Sequence, residues 1–358
     1  MARKLLKGCE AFGQAAIKAG CRFYFGYPIT PQNELTEFMS SALWKVEGGQ
    51  FVQAESELAA ISMCYGAACS GGRVMISSSS PGIALMQEGI SFACSAEVPF
   101  VLINVSRGGP GVGTIQPGQA DYYQATRGGG NGDYHLFVYA PASIQEGVDM
   151  IYKSFDIADK YRNPVMILAD GMLGQMMEPV ELPAEVPYTK EEDIPKVKPW
   201  AIVGHGDARP KQTIKSLELT PEALEAKING YWGKFDEAKK ELTDYEAVNV
   251  EDAEIVFVAY GSTSRIVKEA METLEKEGIK AGLIRPITLW PYPYEAFDAI
   301  NADCKAVVSV ELSMGQMIDD VKIAGKDRWP VELINKVGGS LLSPAEIVAG
   351  AKKILGVK

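Results

Sequence analysis

A chain of 358 residues is too long for one ordinary core and suits two α/β domains with a connecting segment. Its 47% hydrophobic and 23% charged residues are those of a globular protein, with no low-complexity tract. A formal charge of -11 leaves no basic field for phosphate backbones or anionic lipid. No apolar run approaches the roughly 18 residues of a membrane span, so neither nucleic acid nor membrane is expected as a partner.

The first twenty residues are mildly basic and amphipathic, but Glu10 and the immediate run into a strand favour a plain first helix over a transit peptide. Apolar, strand-like runs follow at 22–26, 51–54, 74–77, 100–105, 137–140 and 165–169, with helix-length segments at 31–46, 56–69 and 83–96 between them. This alternation predicts an α/β fold with a mostly parallel sheet covered by helices on both faces. On such sheets ligands bind beyond the carboxyl ends of the strands, so the loops that follow strands are the places to look for chemistry. Residues 178–251 are rich in Pro, Lys and Glu, carry one amphipathic stretch at 221–241, and read as a connector. The alternation resumes with strands at 255–260, 281–285 and 306–310 and a helix at 264–277. The expected division is thus residues 1–178, a connector over 179–250, and a smaller α/β domain over 251–358.

Several chemistries have little to work with. There are only two histidines, His135 and His205, too few for a Ser-His-Asp or Cys-His catalyst or a His-built metal site. The six cysteines (Cys9, Cys21, Cys64, Cys69, Cys94 and Cys304) are scattered, contain no Cys-x-x-Cys, and lie mostly in apolar surroundings. They read as reduced thiols of a cytoplasmic protein that carries no iron–sulfur cluster of its own. The stretch Gly108-Gly109-Pro110-Gly111-Val112-Gly113 lacks the G-x-G-x-x-G spacing and is followed by no Walker lysine, so neither nicotinamide dinucleotides nor nucleoside triphosphates are indicated.

Four strand-end loops remain. In Tyr27-Pro28-Ile29-Thr30-Pro31 two prolines restrict the backbone around Thr30 and hold its hydroxyl in a rigid turn; the plain alternative is Thr30 as an N-cap with Pro31 at the first helical position. In Ala54-Glu55-Ser56-Glu57, Ser56 suits an N-cap, and Glu57 opens an apolar helix. An acid there is either a macrodipole partner or a carboxylate drawn into a dry site, where it suits proton exchange with a bound heterocycle. The run Ser77-Ser78-Ser79-Ser80-Pro81-Gly82 offers hydroxyls and helix-start amides to a polar ligand, or is simply a tight turn. In Ser106-Arg107-Gly108-Gly109-Pro110, an Arg at the end of a buried strand suits bidentate capture of a carboxylate, or a salt bridge to a neighbouring acid.

Taken together and in this order, the loops resemble the pyrimidine-binding half of thiamin diphosphate enzymes, specifically the 2-oxoacid:ferredoxin oxidoreductase family. Gln53-Ala54-Glu55-Ser56-Glu57, Leu85-Met86-Gln87-Glu88, Tyr161 to Asp170 and Leu283-Ile284-Arg285-Pro286-Ile287-Thr288 extend the likeness over essentially the whole chain. Within the family it looks closest to the alpha-type subunit of the 2-oxoisovalerate (branched-chain) enzyme, with the 2-oxoglutarate enzyme a near relative. The resemblance implies that Glu57 hydrogen-bonds N1′ of the aminopyrimidine and promotes its imino tautomer, with Glu55 ranked second. It implies that Thr30 and Arg107 meet the substrate carboxylate, and that Tyr27, Pro28, Ile29, Ser79, Ser80, Pro81 and Gly82 lie at the cofactor. Many relatives have Gly where this chain has Ser80, which leaves that loop's contacts open.

The same resemblance implies what is missing. The family holds the diphosphate through Mg²⁺ with Gly-Asp-Gly and a later pair of asparagines, whereas here Gly132-Asp133 is followed by Tyr134 and no Asn pair comes after. The diphosphate, Mg²⁺ and [4Fe-4S] clusters are therefore expected on partner chains: a beta-type subunit, and ferredoxin-like and gamma-type subunits. The implied reaction converts a 2-oxoacid and coenzyme A to acyl-CoA, CO₂ and reduced ferredoxin. The last third resembles the C-terminal domain of transketolase-like enzymes.

Overall fold

The structure, a computed structural model, describes residues 3–204 and 209–357; His205 lies outside them. Seven strands form the larger sheet, in the order Thr288–Trp290, Phe137–Tyr139, Val165–Asp170, Val101–Ser106, Val74–Ser78, Phe23–Gly26 and Gln50–Gln53. All neighbours are parallel except Thr288–Trp290, which runs antiparallel to Phe137–Tyr139. Strands Val74–Ser78, Val101–Ser106 and Val165–Asp170 are buried along their whole length. Their unbroken apolar runs are what a parallel sheet covered on both faces requires. Strand Gln50–Gln53, at the edge, is mostly exposed.

The expected fold class is the one observed, with helix boundaries that differ for local reasons. Ser56 caps helix Glu57–Cys69, its hydroxyl accepting from Ala59 N at 3.2 Å. The helix expected from 83 begins at Ser80, because Pro81 is tolerated in a first turn whose amide needs no partner. The helix expected over 31–46 spans Asn33–Ala42 and tightens into a 3-10 turn at Leu43–Lys45. Thr30 is not its N-cap; that position falls to Gln32.

A second sheet of five strands has the order Val331–Asn335, Ala306–Glu311, Ile255–Val258, Ala281–Pro286 and Tyr245–Val248, the last antiparallel. A short ribbon pairs Lys4–Lys7 with Met177–Val180. The two halves are closely joined. Helix Pro221–Leu242 lays Trp232 and Phe235 against His135, which stacks on Trp290 with ring centroids 4.2 Å apart. Arg285, 4% exposed, donates to both Glu146 oxygens at 2.9 Å and to Glu246 at 2.8 Å. All six cysteines are free and buried, and burial pushes the Cys9 and Cys21 thiols up to about 12. Among the described residues, no helix is long and apolar enough to cross a membrane.

Candidate functional site

The four loops follow Phe23–Gly26, Gln50–Gln53, Val74–Ser78 and Val101–Ser106, which are neighbours in one parallel sheet. Parallel strands end on the same edge, so residues up to 80 positions apart are brought to one cleft.

Glu57 heads its helix and is only 5% exposed. Among the described residues no hydrogen bond or ion pair engages its carboxylate. Glu55, two residues earlier, is exposed. Against Glu57 packs Gly82, where a Cβ would fall 2.6 Å from Glu57 Oε1 and 2.1 Å from Ser78 Oγ. Only a hydrogen at that position lets the helix start approach the carboxylate. The Ser78 and Ser79 hydroxyls are buried beside it without a partner among the described residues, and buried polar atoms left unpaired in this way call for a ligand or ordered water.

Ser77 belongs instead to the floor. Its hydroxyl donates to Gln32 Oε1 at 2.7 Å and shares a 2.6 Å hydrogen bond with Tyr24 OH, which also bonds Thr36 at 2.9 Å. Burial holds the Tyr24 phenol at about 12, so this network stays uncharged.

Arg107, 7% exposed, is not in a salt bridge among the described residues. Its guanidinium donates to two backbone carbonyls, Thr30 O at 2.7 Å and Val112 O at 2.8 Å, and its Nε is buried with no partner among the described residues. Bonded to carbonyls and to no carboxylate among the described residues, the cation keeps hydrogen-bonding capacity for an anion. Thr30 is brought to Arg107 through its carbonyl; its hydroxyl accepts only a long 3.5 Å contact from Asn33 Nδ2. Ser80 joins the group, its Oγ accepting from Arg107 N at 2.9 Å and donating to Asp121 Oδ2 at 2.6 Å. Tyr27 and Pro28 stand exposed and Ile29 is half-buried.

Two polar residues escaped the sequence reading. Gln32 is fully buried and accepts from Ser77 and Thr36. Asp121 is 8% exposed, accepts from Ser80 and from Asn104 Nδ2 at 2.9 Å, and is pushed up by burial. An acid in a Gly- and Gln-rich connection carries no periodic signal. An open groove of about 720 Å³ leads from Thr30 past Ile115 and Pro117 to Met172. A groove of about 790 Å³ between helices Thr263–Lys276 and Pro344–Leu355 is remote and holds none of these side chains.

Residues 14–246 match the family described as pyruvate flavodoxin/ferredoxin oxidoreductase, thiamine diphosphate-binding, and residues 253–347 match pyruvate:ferredoxin oxidoreductase core domain II. Over 99% of both chains the sequence is 45% identical to ketoisovalerate oxidoreductase subunit VorB of Methanothermobacter marburgensis. It is 37% identical to 2-oxoglutarate synthase subunit KorA of Methanocaldococcus jannaschii, over 96% of this chain and 98% of that one. A solved 2-oxoglutarate:ferredoxin oxidoreductase from Magnetococcus marinus, with 2-oxoglutarate, coenzyme A and succinyl-CoA bound, superposes with a TM-score of 0.85 at 28% identity. That match covers 99% of this chain and 65% of the longer one. A split-gene transketolase, described as an inactive beta4 tetramer, shares the fold at a TM-score of 0.59 and 16% identity over 99% of both chains.

Proposed function

From its membership of the 2-oxoacid:ferredoxin oxidoreductase family, to which this chain belongs, we propose that it is the pyrimidine-side subunit of a cytoplasmic complex acting on branched-chain 2-oxoacids. The overall reaction is oxidative decarboxylation with coenzyme A to acyl-CoA, CO₂ and reduced ferredoxin. The substrate choice follows the 45% identity to a ketoisovalerate subunit against 37% to a 2-oxoglutarate subunit.

The observation that carries the reading is the buried, unpartnered carboxylate of Glu57. Thiamin diphosphate, when bound, supplies the nucleophilic carbon that attacks a 2-oxoacid. Glu57 is the side chain placed to hold and move a proton at N1′ of the aminopyrimidine, because it is dry and carries no competing bond, whereas Glu55 is solvated. The free Ser78 and Ser79 hydroxyls are donors beside it. Arg107 and the Thr30 turn face the carboxylate of the oxoacid.

A partner completes the site. Leu58, Met63, Leu85 and Phe92 are 50%, 36%, 57% and 46% exposed on the two helices that begin at Glu57 and Ser80. An apolar helix pair beside the cofactor suits docking of a beta-type subunit that brings the diphosphate site and Mg²⁺. Ferredoxin-like and gamma-type subunits would bring [4Fe-4S] clusters. Glu57→Gln should leave assembly intact and lower turnover of the complex by roughly a thousandfold or more; normal turnover would remove Glu57 from the mechanism and favour a subunit that only assembles. Turnover by the isolated chain, with coenzyme A and a viologen acceptor, would overturn the shared site. A panel of 2-oxoisovalerate, 2-oxoglutarate and pyruvate tests the substrate, a clear preference for 2-oxoglutarate overturning the branched-chain choice.

A further inference from the structure

We propose that Asp121 and Ser80 act as a positioning pair for Arg107. The inference rests on the reading that Arg107 meets the substrate carboxylate.

Among the described residues the guanidinium of Arg107 is seated by two carbonyls and bonded to no acid. Where its side chain points therefore depends on where its backbone is held. That backbone lies just past the end of strand Val101–Ser106, and its N–H donates to Ser80 Oγ at 2.9 Å. A serine hydroxyl has one proton to give. Ser80 has two places to send it: Asp121 Oδ2 at 2.6 Å, or Arg107 O at 3.3 Å. The first distance is that of a charge-assisted O–H···O⁻ bond and the second is at the limit of a neutral one. The hydroxyl therefore donates its hydrogen bond to the carboxylate, and this turns an Oγ lone pair toward the Arg107 N–H. Asn104 Nδ2, donating at 2.9 Å from within the strand, fixes Asp121 in turn.

The chain from Asn104 through Asp121 and Ser80 to Arg107 ties the strand end to the first residue of helix Ser80–Ser95. That helix also carries Gly82, which abuts Glu57. The pair thus sets the register between the residue facing the substrate carboxylate and the residue facing the cofactor. A glycine at position 80 would leave Asp121, 8% exposed, one donor short in a buried setting.

The test uses the assembled complex with 2-oxoisovalerate as the varied substrate. Ser80→Ala and Asp121→Asn should each raise KM about tenfold while kcat stays within about twofold, as expected when ground-state and transition-state binding fall together. Arg107→Ala should raise KM as well, and the double variant Ser80→Ala/Arg107→Ala should be no worse than Arg107→Ala alone, because the serine acts through the arginine side chain. An unchanged KM in Ser80→Ala, or multiplying effects in the double variant, would overturn the pair. Asp121→Asn, which keeps size and shape, serves the same purpose should the Ser80 variant fail to assemble. An Arg107→Ala complex with unaltered KM for every oxoacid would instead overturn the role of Arg107 itself.

Discussion

Gly82 lies so close to Glu57 that a methyl group on its Cα would sit 2.6 Å from the carboxylate oxygen Oε1. The atoms in the way, Glu57 Oε1 and Ser78 Oγ, are side-chain ends, and Gly82 does not need a left-handed backbone. Gly82→Ala should accordingly be tolerated by the fold while displacing the carboxylate. Helix propensity favours alanine by about 1 kcal/mol, which offsets much of the crowding. The expected outcome is a melting temperature near that of the wild type with turnover lowered by about ten- to a hundredfold. A fully active Gly82→Ala complex would mean that the position of the Glu57 carboxylate does not matter.

Arg285 holds the two halves together by a forked bond to Glu146, and a third bond ties it to Glu246 on the neighbouring strand of its own sheet. The guanidinium side chain is 5% exposed, while the acids are 34% and 33% exposed. Removing the arginine leaves two partly solvated carboxylates and a gap; removing Glu146 leaves the buried cation with Glu246 as its one acid. Glu146→Ala should be the more damaging, at about 3 kcal/mol, since two charge-assisted bonds are lost and the buried cation keeps a single acid. Arg285→Lys should not restore stability, because an ammonium cannot span the fork. Thermal melts of the three variants check the order.

The parallel strands were readable because burial on both faces writes them as unbroken apolar runs, as in Val101–Ser106 and Val165–Asp170. Strands Lys4–Lys7 and Val331–Asn335 carry mixed exposure and are defined by distant partners, so no local pattern announces them. Glu57 was readable from its place after Ser56 at a helix start. The seat of Arg107 was not, because it consists of carbonyls from Thr30 and Val112, and a backbone oxygen has no residue type. The N-cap alternative for Thr30 failed for a tertiary reason: Gln32 follows it and turns its amide inward to Ser77 and Thr36, and the helix starts only at Asn33.

The cysteines give a direct chemical check on the core. A free thiol titrates near 8.5 and reacts as thiolate, but burial lifts Cys9 and Cys21 to about 12 and Cys69 to about 11. The folded chain should resist iodoacetamide at about pH 8, with thiols becoming labelled together on unfolding. Rapid labelling of Cys21 in the folded chain would contradict its place under the sheet.

His135 should make the fold acid-sensitive. Burial lowers its imidazole from the usual 6.5 to about 4, and the cations Lys239 and Arg127 act in the same direction. Among the described residues Nδ1 is buried with no partner, and the ring is stacked on Trp290 and edged by Trp232 and Phe235. The folded state thus binds the proton more weakly than the unfolded chain. Above about pH 6.5 both states are neutral at this site and the contribution is intact. As pH falls from 6.5 toward 4 the unfolded chain takes up a proton that the folded chain refuses, so stability is lost across that window. The loss should reach about 2 kcal/mol after allowing for the ring's partial contact with water. His135→Phe keeps an aromatic ring in the stack and removes the titration, so its melting temperature should fall less over the same range. Parallel pH profiles for the two proteins would contradict this account and place the acid sensitivity elsewhere.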